Sequence, residues 1–304
     1  GCDNSCAFCI VPSVRGSEVS RPFDDLVAEV ERLAGAGVAE VTLLGQNVNS
    51  YGRDLTRRAP LFADLLRAVG AVPGIERVRF TSPHPKDLRP ETILAMAETP
   101  AVCPQLHLPL QSGSDRVLAA MRRGYRARRY LERLAAARAA IDDLAVTTDV
   151  IVGFPGETDD EFDETLAVVA EARYDSAFTF IFSAREGTRA AAMADDFVAP
   201  AVVAERFARL VEVLDRSGLE AHRARVGRVE EVLVEGPSKS DPAMLSGRTR
   251  QGKLLHLPES DDARRPGTLV RARVTRAAPH FLFGELVDVV RAPRHRTRIP
   301  IAVS

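Results

Sequence analysis

The chain has 304 residues, 45% hydrophobic and 27% charged, with a formal net charge of −1 at pH 7. This suits a globular protein with one large and one small domain, and no apolar run in the sequence reaches the ~18 residues of a membrane span. Near-neutrality does not advertise nucleic-acid binding, yet positions 227–304 carry 14 Lys/Arg against 9 Asp/Glu, a local excess able to grip phosphates.

Three of the four cysteines open the chain, in Gly1-Cys2-Asp3-Asn4-Ser5-Cys6-Ala7-Phe8-Cys9, spaced Cys-x3-Cys-x2-Cys. Three thiolates on one short loop can hold three irons of a cubane cluster. The fourth iron is then open to a small molecule. That vacancy suits S-adenosylmethionine (SAM), whose amino and carboxylate groups chelate such an iron. An electron from the cluster can then cleave SAM to a 5′-deoxyadenosyl radical. Phe8 suits an aromatic position near the SAM adenine. Structural zinc is a competing reading, but zinc prefers four ligands. Cys103 is a possible fourth, although its apolar setting suits a buried thiol better. Size, cysteine count and the lack of a visible secretory segment argue against a disulfide framework. Reduced thiols fit the cytoplasm.

A polar, Gly/Pro-punctuated loop is expected over 13–22, where Arg15 and Arg21 can meet an anion or simply face solvent. Leu26, Val27, Val30, Leu33 and Ala34 recur at helical spacing, and Gly35 and Gly37 end that helix. A strand over 40–44 runs into the polar segment Gly45-Gln46-Asn47-Val48-Asn49-Ser50-Tyr51-Gly52. The unit then repeats. Helices are expected over 61–69, 90–97, 115–121 and 127–141, and strands over 77–81, 105–110, 146–152 and 177–182. Thr158 and Glu161 form a capping box for a helix reaching Ala172. Strand–helix alternation with apolar strands implies a parallel sheet with helices outside it, as a barrel or a doubly wound sheet. The ligand site should lie at the C-terminal strand ends, where the polar and glycine clusters fall. A long helix over 201–226 follows. Short strands over 231–234, 245–248, 253–257, 269–275 and 281–286 then suggest a small antiparallel barrel of the OB kind. Positions 293–304 read as a disordered basic tail.

His84 and His107 fall near the expected rim, each more often structural than catalytic. Arg122-Arg123 and the arginines from 126 to 129 read as an RNA-facing patch or a solvated helix face. No Ser-His-Asp order, phosphate loop or dinucleotide fingerprint appears.

The chain resembles the radical-SAM methylthiotransferases. The resemblance is carried by the cysteine loop, Arg15-Gly16-Ser17-Glu18-Val19-Ser20-Arg21-Pro22, Leu43-Leu44-Gly45-Gln46-Asn47-Val48-Asn49, Phe80-Thr81-Ser82-Pro83-His84-Pro85, His107-Leu108-Pro109-Leu110-Gln111-Ser112-Gly113-Ser114, and positions 149–157. It continues through 180–184 into Val234-Glu235-Gly236 and Leu245-Ser246-Gly247-Arg248-Thr249. It implies a partial (β/α)6 barrel over 1–226, its first strand missing, then a TRAM-like RNA-binding β-barrel over 227–292 and a basic tail over 293–304. It implies methylthio insertion at C2 of N6-isopentenyladenosine at tRNA position 37, via the deoxyadenosyl radical. Cys2, Cys6 and Cys9 would hold a 4Fe–4S cluster; Phe8, Gln46, Gln111, Asp149, Ile151 and Gly153 would line the SAM pocket. The expected partners are tRNA and an electron donor of unknown identity, for a monomer that touches no membrane. The family's second cluster belongs to an N-terminal domain with three further cysteines, which this sequence does not contain. The chain alone is therefore expected to bind one cluster and SAM without completing sulfur insertion. Threonylcarbamoyl-adenosine tRNA or a ribosomal protein are alternative substrates, and a zinc-stabilised RNA-binding protein is the non-catalytic alternative.

Overall fold

A computed structural model of the chain describes residues 1–56, 61–239 and 241–293. Beyond Pro293, the expected basic tail lies outside the described residues. Helices α1 (Val11–Arg15) and α2 (Phe23–Gly35) precede β1 (Glu40–Leu43), α3 (Phe62–Gly70), β2 (Arg77–Phe80), α4 (Pro90–Glu98) and β3 (Gln105–His107). Then come α5 (Asp115–Ala120), α6 (Ala127–Ala140), β4 (Ala145–Val152), α7 (Asp159–Ala172), β5 (Ser176–Ile181) and α8 (Pro200–Arg223). The short α1 replaces an expected loop. Pro12 sits in its first turn, where a missing N–H costs nothing, and Gly16, at φ 70°, stops it.

β1 pairs with β2, and β3, β4 and β5 pair in that order, all in parallel. A parallel bridge between Val78 and Val102 joins the two pieces. The Cys103 N–H donates to Val78 O at 2.9 Å beside it. The sheet is thus a partial barrel in chain order, with helices outside. Only three residues of the expected 105–110 strand form regular ladder, because Pro109 has no N–H to give. The Thr148 hydroxyl fills in. It accepts from Leu110 N at 2.9 Å and donates to Leu108 O at 2.8 Å.

Strand alternation separates core from site. On β4, Val146, Thr148, Val150 and Val152 are buried under the helices, and Thr147, Asp149 and Ile151 face the other way, half-buried. Register places His107 beside Thr147, Phe178 beside Asp149 and Phe180 beside Ile151. One core runs from Phe62, Leu66 and Val69 of α3 through Val78, Leu106 and Val150 to Tyr130, Phe162 and Val169.

After α8 come β6 (Val229–Pro237), β7 (Met244–Thr249), β8 (Leu254–Pro258), β9 (Leu269–Ala277) and β10 (Leu282–Arg291). They close a barrel in the order β10-β8-β7-β6-β9 around Val232, Leu245, Leu255, Val270 and Val274. Four pairings are antiparallel; a short parallel contact of Leu282 with Leu255 and Phe283 with His256 completes the closure.

This barrel docks on the strand-start end of the partial barrel. Arg77, at the start of β2, is 1% exposed. It pairs with Glu231 at 2.8 Å and donates to Arg248 O at 2.9 Å. Arg79 donates to Thr249 O at 2.8 Å, Lys253 pairs with Asp175 at 2.6 Å, and Arg225 with Asp143 at 2.8 Å. No helix among the described residues is long and apolar enough to cross a membrane.

Candidate cluster and cofactor site

The cysteine loop lies at the opposite end, across the C-terminal rim. Two backbone bonds clamp it at Ala7, whose N–H donates to Met121 O at 2.9 Å and whose carbonyl accepts from Ala190 N at 2.9 Å. The Cys2 N–H donates to Gly16 O at 3.1 Å, which closes the loop onto the end of α1. Asn4 donates to Cys2 Sγ at 3.5 Å and itself receives Lys86 Nζ. Cys2, Cys6 and Cys9 are half-buried free thiols. Burial pushes the Cys9 thiol up; a bond from the Val11 backbone pulls it down, and Cys6 and Cys2 push it up again.

Ala7 is buried with Val117, Met121, Phe154 and Ala190, and Phe8 and Ile151 pack on that cluster. An aromatic ring of the loop and an aliphatic side chain of β4 thus form one apolar patch beside the thiols. Gln111 sits at φ 68°, a strained value for a residue other than glycine. Its N–H donates to Asp149 O at 2.8 Å and its carbonyl accepts from Ile151 N at 2.9 Å. The side chain is 7% exposed, and its Oε1 has no hydrogen-bond partner among the described residues. Asp149 meets His107 Nε2 at 3.4 Å. Gly153, at φ 74°, donates to Glu157 Oε2 at 2.9 Å, and a Cβ there would lie 2.6 Å from Val203 Cγ2. Arg206 locks that turn from α8, at 3.0 Å from Glu157.

The structure packs Phe8 and Ile151 on the apolar cluster of the cysteine loop, backbone bonds tie Gln111 to Asp149 and Ile151, and Gly153 follows at the end of β4. Gln46 is exposed in the polar segment after β1 and makes no hydrogen bond among the described residues. Its neighbours staple loops together. Asn49 exchanges bonds with the His84 backbone at 2.8 and 3.0 Å, and Asn47 donates to Asp87 at 2.8 Å. His84 is structural. Burial first, then the cations Arg123, Lys86, Arg133 and Arg53, push it down to about 2, so it is neutral.

The basic patch divides. Arg122, Arg126, Arg128 and Arg129 are exposed, but Arg123 is only 6% exposed. It donates to Cys6 Sγ at 3.3 Å and to Tyr125 Oη at 3.1 Å, and it pairs with no carboxylate among the described residues. Sequence reading assigned it to RNA or solvent. The signal available was the Gly124 after the arginine pair, which marks a turn able to reverse a side chain.

These residues fit an iron–sulfur cluster with SAM. Among the described residues no three His, Cys, Asp or Glu side chains converge as one metal ion requires. A cubane instead takes each thiolate on a different iron. An uncompensated buried guanidinium suits an anionic cluster, and the free Gln111 Oε1 suits a donor group of a bound cofactor.

A model of the Radical SAM superfamily matches residues 1–169, and one of the TRAM domain matches residues 223–287. The chain is 55% identical over 297 residues to tRNA-2-methylthio-N(6)-dimethylallyladenosine synthase of Acidothermus cellulolyticus, covering 97% of this chain and 59% of that protein. It is 56% identical over 290 residues to the enzyme of that name from Parafrankia sp., covering 93% and 58%. It thus spans about 59% of the length of such relatives. A radical S-adenosylmethionine methyltransferase from Kitasatospora setae, TsrM, shares the fold at TM-score 0.51 and 14% identity, covering 63% of this chain and 37% of that one. Rim thiols, apolar patch and matching superfamily model agree, and the chain belongs to the radical SAM superfamily, which implies a 4Fe–4S cluster and SAM.

Proposed function

We propose that this chain is the radical-SAM and RNA-binding part of a tRNA methylthiotransferase acting at C2 of N6-isopentenyladenosine 37. The observation that carries the reading is the clamped three-cysteine loop at the rim beside Phe8, Ile151 and the unpartnered Gln111 Oε1. It is supported by 55% identity to a relative named for that product. Positions 1–226 would form the catalytic barrel, 227–292 the RNA-gripping barrel and 293–304 a basic tail.

Cys2, Cys6 and Cys9 would hold the single cluster of this chain. When bound, cluster and SAM supply one-electron chemistry able to break an unactivated C–H bond, which no side-chain acid or base does usefully. The protein's part is placement. Phe8 and Ile151 offer apolar contact to an adenine and Gln111 Oε1 accepts a hydrogen bond; Asp149 and Gly153 would complete the SAM pocket, the glycine also leaving room for Val203 of α8. Phe178, 63% exposed, and Phe180 give the open face of the sheet an apolar wall against which an unstacked base can rest. On the second barrel, the rings of His256, Phe281 and Phe283 lie 5.2 to 6.1 Å apart, and Arg276 stacks 3.7 Å over Phe283. Aromatic rings with a stacked guanidinium suit nucleic-acid bases. The protein would act as a cytoplasmic monomer with an external one-electron donor.

Iron and sulfide analysis after anaerobic reconstitution tests the cluster. About four irons per chain are expected, all lost in the Cys2/Cys6/Cys9→Ala triple variant; zinc, or iron that survives the substitutions, rejects it. For the substrate, tighter binding of a prenylated than of a threonylcarbamoylated anticodon stem-loop is expected, and the reverse order would assign the alternative tRNA. Phe283→Ala should weaken both by about 1–3 kcal/mol if the ring stacks a base.

A further inference from the structure

We propose that Arg123 is a positioning residue that raises the reduction potential of the cluster held by Cys6; this rests on the cluster reading above but not on the tRNA substrate. The guanidinium is buried and lacks a carboxylate partner among the described residues. Burying a cation in this way is costly unless a negative charge faces it. The group it meets is Cys6 Sγ, at 3.3 Å.

The surrounding backbone is bent to produce that contact. Arg122 at φ 59° and Gly124 at φ 70° bracket Arg123 in left-handed conformations. For an arginine that conformation is strained, and strain of this kind persists only where the surroundings enforce it. The same turn supplies Met121 O to the Ala7 N–H, so one element grips the cysteine loop and aims the cation at it. Tyr125 fixes the other side. Its hydroxyl receives Arg123 Nε at 3.1 Å and lies 2.9 Å from Pro109 O and Leu110 O, and the guanidinium lies 5.5 Å over its ring.

Reduction adds one electron from an external one-electron donor to the cluster and makes it more negative by one charge. No bond in the protein forms or breaks. A fixed cation with an N–H directed at a ligand sulfur stabilises the reduced form more than the oxidised form. Arg123 therefore raises the potential, and its removal makes the cluster harder to reduce.

The test is a potentiometric titration of the reconstituted full chain, followed by electron paramagnetic resonance and the visible spectrum, with iron measured on each sample. For Arg123→Met, we expect native iron content and at least a ten-fold lower reduced-to-oxidised ratio at fixed potential, about 59 mV for one electron. Arg123→Lys keeps the charge and should fall between. Unshifted potentials in iron-loaded variants overturn the proposal. So does failure of both variants to take up iron, which would make Arg123 an assembly residue. If only Arg123→Met fails to load, the Lys variant decides by whether its potential falls. A wild-type chain without iron overturns the cluster reading and this role with it, whereas altered RNA preference touches neither.

Discussion

Cys103 is 2% exposed near the strand-start end of the partial barrel, whereas Cys2, Cys6 and Cys9 lie half-buried across the opposite rim. Burial pushes the Cys103 thiol up, and its backbone N–H is spent on Val78 O. Arg79, Arg250 and Arg77 pull the other way, but burial dominates, and a buried thiol raised in this way is inert rather than ligating. Cys103→Ala should leave iron content unchanged and cost about 1 kcal/mol in denaturant unfolding; loss of iron would reinstate it as a fourth ligand. At this scale the three rim cysteines were legible because Cys-x3-Cys-x2-Cys is a property of neighbours along the chain. Arg123 was not. Its role depends on which way a turn faces, and the adjacent Arg122 has the same composition and the opposite fate.

Elements were readable where one signal dominated. Thr158 and Glu161 make the anticipated capping box, with the Thr158 N–H donating to Glu161 Oε2 at 2.8 Å. Arg116 then clamps Glu161 from α5 and is the chief reason its carboxyl is held at about 2. The long helix α8 ends at a junction that should respond to acid. His222 is 3% exposed and its Nδ1–H donates to Ala278 O at 2.7 Å. Burial first, then Lys253, pushes His222 down to about 4; Asp175 and the Ala278 carbonyl pull it up, and Arg225 pushes it down. An unfolded imidazole titrates near ~6.5, so protons favour the unfolded chain. This contribution is complete above that value and drains away as pH falls through about 4. Thermal unfolding should show wild type losing more stability between pH 7 and pH 4.5 than His222→Gln does. Parallel losses would sink the assignment.

For the whole molecule, the cluster loop and the second barrel lie at opposite ends of the five-stranded sheet, joined through buried charge. Arg77 bridges Glu231 and Arg248 O, with Glu40 at 3.7 Å. Without Arg77, Glu40 keeps Arg79 at 3.2 Å and Glu231 keeps Arg250 at 3.9 Å, while Arg248 O loses its donor, a loss of about 1.5–3 kcal/mol for a charged hydrogen bond. Arg77→Ala should lower the calorimetric midpoint and split the second barrel's unfolding from the first. A single transition at the wild-type temperature would show that the interface does not depend on this ion pair.

By itself the sequence determined the three-cysteine spacing, the order of strands and helices, and the presence of two β-rich units, because thiol spacing, apolar period and turn residues act within a few positions. Tertiary structure alone decided that Arg123 turns inward to Cys6, that β8 meets β10 in parallel, and that Arg77 anchors the second barrel. Those outcomes join residues up to 171 positions apart. Burial and charge pairing set them, and both exist only once distant elements have packed.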